Sequence, residues 1–186
     1  MRSASPLAAV TIAVAVLLAG CLPQEPEVIP PPESTTEPVF ASDEEALAAA
    51  TEAYKAYLAM SDLIAQEGGK EPERIQAVAV RDAFADAMAG YEILGERQYR
   101  SVGTSGISST SLQRYSSAET SDVVAIYACL DLAGVDVLNH SGDSVVEDSR
   151  PDVQPFEVTF DLREDEPAQL IVSSREPWAG DDFCVE

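Results

Sequence analysis

Few side chains in this sequence could carry chemistry. There are three cysteines, Cys21, Cys129 and Cys184, and one histidine, His140. His140 lies in Asn139-His140-Ser141-Gly142, a turn signature, where an imidazole is solvated and out of reach of a bound substrate. The acids Asp143, Glu147 and Asp148, the run Glu164-Asp165-Glu166, and Asp181-Asp182 lack the twelve-residue calcium-loop spacing with its glycine and terminal glutamate. They read as solvated acids, so no metal site is expected. No phosphate loop and no serine in a nucleophile elbow occurs. Tyr54, Tyr57, Phe84 and Tyr91 recur at helical spacing. Such a stripe either builds a core or lines a ligand cavity, because a tyrosine joins an apolar ring to a polar tip that needs a partner. No catalytic residue and no cofactor follows from these patterns.

The N-terminus sets the protein's address. Met1–Pro6 carries one positive charge, Arg2, and Leu7–Leu18 is an uncharged apolar run, too short for a membrane span and suited to a secretory signal. Leu18-Ala19-Gly20-Cys21 resembles the lipobox of bacterial lipoproteins. That resemblance implies cleavage after residue 20, lipidation of Cys21 and a location on the extracytoplasmic face of the cell membrane. Two or more acyl chains are needed for stable anchoring. With Cys21 lipidated, Cys129 and Cys184 remain, and an even pair in an exported chain reads most simply as a disulfide. A redox pair or a metal site is the competing reading, against which stand the lack of a Cys-x-x-Cys and of any histidine near either cysteine.

The whole chain carries a formal charge of −22, and loss of residues 1–20 removes Arg2 and no acid. Phosphate binding needs clustered Lys and Arg, so nucleic acid is excluded as a partner. Residues 21–42 form a tether: Leu22–Ser42 holds six prolines, four acids and no base, a composition for extended polyproline II rather than a packed core.

Residues 43–186 remain for one domain with a real core. Ser42-Asp43-Glu44-Glu45 is a capping box that should start a helix carrying Leu47, Ala50, Tyr54, Tyr57, Leu58 and Ile64 on one stripe, ended by Gly68-Gly69. Pro72 should open a short helix to about Val80, with another from about Asp82 to Leu94, and the pattern leaves open whether these are one helix or two. The serine-rich stretch Ser101–Ser121 alternates loosely and reads as one or two exposed strands. Asp122–Leu138 reads as one long strand bent near Gly134. Pro155–Arg163 alternates cleanly, and Leu170–Ser174 pairs back to it across Glu164-Asp165-Glu166-Pro167.

Helices followed by antiparallel strands give an α+β fold, with the N-terminal helices on one face of a curved antiparallel sheet. The order of elements, with Tyr127-Ala128-Cys129-Leu130-Asp131, Val145-Val146, Arg150-Pro151 and Trp178-Ala179-Gly180 before Cys184, resembles the NTF2-like (SnoaL-like) domains of secreted actinobacterial lipoproteins. The resemblance implies a cone closed by helices over residues 43–186. It also implies three functional classes: a non-enzymatic module that binds or assembles an envelope protein, a carrier or sensor of a small apolar ligand in the cone, and an isomerase-like enzyme. In the last, Asp131 would be a buried base with Tyr54 or Tyr57 as hydrogen-bond donor; the candidate pocket residues are Tyr54, Tyr57, Tyr91 and Asp131. Alternatively Asp131 ends a strand or pairs with an arginine such as Arg74 or Arg100.

Overall fold

A computed structural model describes residues 38–116, 123–163, 166 and 169–184. The signal segment, Cys21, residues 22–37 of the tether and most of the Glu164–Pro167 turn lie outside the described residues. Among those described, no helix is long and apolar enough to cross a membrane.

Helix α1 spans Asp43–Gln66. Its capping box is formed: the Ser42 hydroxyl accepts from the Glu45 amide at 3.2 Å, and the Glu45 carboxylate reaches back to the amide of Ala41 at 2.8 Å. At the other end the Gly69 amide donates to the Ile64 carbonyl and the Gly68 amide to that of Ala65, the paired bonds of a Schellman turn. Gly69 has φ +78° and lies so close to α2 that a Cβ would meet the Tyr91 carbonyl oxygen at 2.3 Å, so only glycine fits there.

The stretch from Pro72 to Arg97 is two elements, a 3-10 helix Pro72–Ala77 and helix α2, Arg81–Arg97. The sheet interrupts them. Val80 donates to the Val172 carbonyl and Val172 to that of Val78, so this segment is held extended as a short parallel bridge, Ala79 to Val172.

The strands are β1 (Arg100–Val102), β2 (Gly106–Ser116), β3 (Val123–Asp131), β4 (Asp136–Leu138), β5 (Val153–Leu162) and β6 (Leu170–Pro177). A four-stranded antiparallel sheet runs β2-β3-β5-β6, and β1 pairs with β4 in a separate two-stranded sheet. The fold is therefore α+β, helices on an antiparallel sheet, an architecture compatible with an NTF2-like cone. The single strand expected over Asp122–Leu138 is two strands in different sheets. Asp131 accepts the Ala133 amide on its carboxylate and Val135 donates to the Leu132 carbonyl. These turn bonds end β3 before Gly134, and Arg150 fixes the turn by donating to the carbonyls of Leu132 and Val135.

Val124, Ile126, Ala128 and Leu130 of β3 and Phe156, Val158 and Phe160 of β5 face the helices and are buried with Tyr54, Ile64, Ile75 and Val172. The loose alternation of β2 has a cause. Register shifts at Ser108 and Gln113 put Ile107, Thr110, Leu112 and Tyr115 opposite inward-facing residues of β3, so the inward residues are spaced by two and three. Such bulges also bend and twist a sheet.

Packing begins before Ser42. Phe40 is buried, its amide donates to the Tyr115 hydroxyl at 3.0 Å, and its ring meets that of Tyr115 edge-on with centroids 5.7 Å apart. Phe40, within the stretch assigned to the tether, is thus part of the core, with Val39 packed against it. On the opposite face of the sheet Cys129 and Cys184 form a disulfide. It ties down a tail in which Trp178 and Phe183 gather on Tyr127, with centroids 5.0 and 5.1 Å away.

Candidate functional site: an arginine between two helices and the sheet

Strand β6 has a bulge that changes which of its side chains face the helices. Leu170 and Val172 sit opposite Leu162 and Phe160 and point inward, whereas the pairing then skips Ser173, so that Ser174 opposes Thr159 and Arg175 opposes Val158. Without the extra residue the alternation would send Arg175 to the wet face. With it, the guanidinium is aimed at the helices, a known use of bulges. The Ser173 hydroxyl, itself buried, donates to the Thr159 carbonyl at 3.1 Å and fixes the bulge.

Two contacts hold the half-buried Arg175. Its Nε donates to the Tyr54 hydroxyl at 2.9 Å, and its guanidinium carbon stands 3.7 Å from the centroid of the Phe156 ring, a cation–π arrangement that restrains the plane of the head group. Among the described residues neither terminal amino group has a hydrogen-bond or ion-pair partner. The ion pairs there are Lys55–Glu52, Arg74–Glu67 and Arg81–Asp161.

The guanidinium opens onto a cleft of about 310 Å³ between α1, α2 and β6. Tyr57 and Ser61 of α1 form one wall, and Ala83, Asp86, Ala87, Gly90, Tyr91 and Leu94 of α2 the other. Tyr91 donates to the Ser61 hydroxyl at 3.0 Å, which joins the two helices at the cleft floor.

Tyr54, Tyr57 and Tyr91 form a buried cluster. Tyr54 is 0 % exposed, Tyr57 6 % and Tyr91 5 %, and the rings of Tyr54 and Tyr57 stack with centroids 6.0 Å apart. Tyr57 and Tyr91 also line the cleft with Arg175, and Tyr54 does not. Burial pushes the Tyr57 phenol up to about 12, partly opposed by the nearby Arg175 charge. Burial likewise raises Tyr54, against Arg175, and Tyr91, against the Ser61 hydrogen bond. All three are therefore neutral hydrogen-bonding groups at ordinary pH.

Asp131 is not brought to them. It ends β3 opposite Gly106, with its carboxylate on the Ala133 amide, and it is not among the residues lining the Arg175 cleft. Arg74, one suggested partner for it, pairs with Glu67. His140 is exposed in its turn, within 3.3 Å of the Ser141 hydroxyl. Among the described residues there is no group of three or more histidines, cysteines or acids placed to hold a metal.

Two larger clefts hold no half-buried arginine fixed by protein contacts. One of about 430 Å³ lies between α1 and the start of β2, where Asp62 is already bound by the amide and hydroxyl of Ser105. Another of about 750 Å³ runs from Gly68-Gly69 to Asn139–Gly142, and its cations Lys70, Arg100 and His140 are all exposed.

No family model and no curated protein matches the sequence. Among solved structures, the chain is similar to the intermembrane space region of the chloroplast protein ARC6, at 9 % identity and a TM-score of 0.53, over 72 % of this chain and 97 % of that one. A "putative polyketide cyclase" from Xanthomonas campestris pv. campestris aligns at 14 % identity and a TM-score of 0.30, over 69 % and 92 % of the two chains. A designed β-sheet protein aligns at 10 % identity and 0.31, over 77 % and 98 %. The first of these likenesses is one of fold alone.

Proposed function

We propose that this protein is a lipid-anchored extracytoplasmic binding module with an NTF2-like (SnoaL-like) domain and no catalysis of its own, whose site is the cleft in front of Arg175. The address rests on the lipobox-like Leu18-Ala19-Gly20-Cys21. The site rests on one observation: a bulge turns an arginine inward, Tyr54 and Phe156 fix it, and its terminal amino groups are left without a protein acceptor among the described residues. Ordering an arginine and partly desolvating it costs free energy, and in a chain of charge −22 carboxylates to pair with it are abundant. A cation held ready but unpaired is a binding group. An isomerase-like reaction through Asp131 draws no support from its place in the β3–β4 turn.

A second reading, docking of an envelope protein, is favoured by the Tyr127-Trp178-Phe183 cluster on the opposite sheet face, where Phe183 is 38 % exposed.

Site-specific photo-cross-linking in the native envelope separates the two. Gly90 is a suitable cleft position, since an added Cβ there meets nothing within 4 Å, and Phe183 marks the sheet face. Reproducible small-molecule adducts from position 90 are expected. A protein adduct from position 183, with nothing captured at 90, would replace the first reading by the second. Cys21→Ala should release the protein from the membrane fraction; its retention there would remove the anchoring claim.

A further inference from the structure

Building on the reading of the cleft as a small-molecule site, we infer that its ligand is a small organic acid with a single carboxylate and an apolar body. A guanidinium has two edges that can bind a carboxylate side by side. In Arg175 one of them includes Nε, which is committed to Tyr54. The remaining edge, formed by the two terminal amino groups, has no protein acceptor among the described residues, and Arg175 lines the cleft. Two parallel N–H donors at a fixed spacing match the two oxygens of one carboxylate.

The rest of the cleft limits what can be attached to that carboxylate. Ala83, Ala87 and Leu94 offer apolar contact, and Tyr57 and Tyr91 add ring surface. Its volume of about 310 Å³ lies at the small end of ligand sites. A multiply charged anion is disfavoured twice. Asp86 stands in the same cleft, and the chain as a whole carries −22, so every added negative charge on the ligand meets repulsion near and far. The same long-range field opposes an acidic polymer. A monoanion pays this penalty once and recovers it in the bidentate contact with Arg175.

Asp86 therefore tunes the site. It is exposed on α2 and forms none of the ion pairs named above, so its removal should leave the fold intact and strengthen the binding of an anion. That expectation belongs to the carboxylate and to no uncharged ligand.

The test is a ligand-observed magnetic resonance titration of the full lipoprotein in lipid nanodiscs with benzoate, with its uncharged analogue benzamide, and with inorganic phosphate. Benzoate should bind saturably, and benzamide and phosphate about tenfold more weakly or worse. Arg175→Gln should weaken benzoate by about tenfold or more, the range for a hydrogen bond to a charged group. Asp86→Asn should tighten it. Equal binding of benzamide and benzoate, or benzoate binding unchanged by Arg175→Gln, would overturn the carboxylate while leaving the cleft a ligand site. Phosphate binding as well as benzoate would overturn the single charge. If none of the three probes binds, the inference fails as well, and the capture experiment at position 90 judges the cleft on its own. Because Arg175→Gln touches the core, Asp86→Asn supplies an independent arm: benzoate weakened by it would also contradict the account.

Discussion

Arg175 and Tyr54 are 121 residues apart in sequence and joined by a hydrogen bond of 2.9 Å. That bond links the last strand to the middle of the first helix and places the one cationic group of the cleft. Tyr54→Phe removes the acceptor and leaves Nε half-buried without a partner. We expect a loss of about 1–2 kcal/mol in a denaturant titration, with benzoate binding weakened because the guanidinium loses its anchor.

Phe40 closes the core from the N-terminal side. Truncating a buried phenylalanine costs about 3–5 kcal/mol through lost transfer energy and the cavity left behind. Phe40→Ala should therefore lower the unfolding midpoint by an amount corresponding to this range. A small effect would mean that Phe40 is only the end of the spacer.

The Cys129–Cys184 bridge closes a loop with a sequence separation of 55, which the chain-entropy account values at about 4 kcal/mol. A Cys129→Ser, Cys184→Ser double variant should lose stability of that order. It should also free the tail, with a change in the emission of Trp178, which the bridge keeps beside Tyr127.

Tyr57 makes the fold sensitive to alkali. Its phenol is raised from 10.0 to about 12 by burial. Below pH 10 it is protonated in both folded and unfolded chains, and its contribution is intact. As pH rises from there toward 12 the unfolded chain releases the proton while the folded one keeps it, so stability falls by something on the order of 2–3 kcal/mol. Comparing denaturant midpoints across this window, the Tyr57→Phe variant should decline less steeply than the parent. A parallel decline would show that Tyr57 does not carry the effect.

The sequence made plain those elements whose signals are local. The Ser42–Glu45 box, the Gly68-Gly69 stop and the alternation of Phe156, Val158 and Phe160 each reflect hydrogen bonding or burial within a few residues, and each stands in the structure. What escaped was set by pairing between distant strands. The bulges at Ser108 and Gln113 made β2 look irregular, and the turn bonds of Asp131 broke a hydrophobic run that read as one strand. Arg175 was missed for the same reason. Counting by twos from Leu170 places it on the wet face, and only the skipped Ser173 brings it inward. The adjacent Ser173-Ser174, which interrupt the apolar run Leu170-Ile171-Val172, were the available sign. Phe40 was hidden by the prolines that precede it.

The most direct measurement is native mass spectrometry of the intact lipoprotein extracted from its own envelope, as parent chain and as Arg175→Gln. A small acidic compound should be retained by the parent and lost from the variant, with the fold of both verified by circular dichroism. The same compound carried equally by both proteins, or a parent chain that carries none, would contradict that expectation.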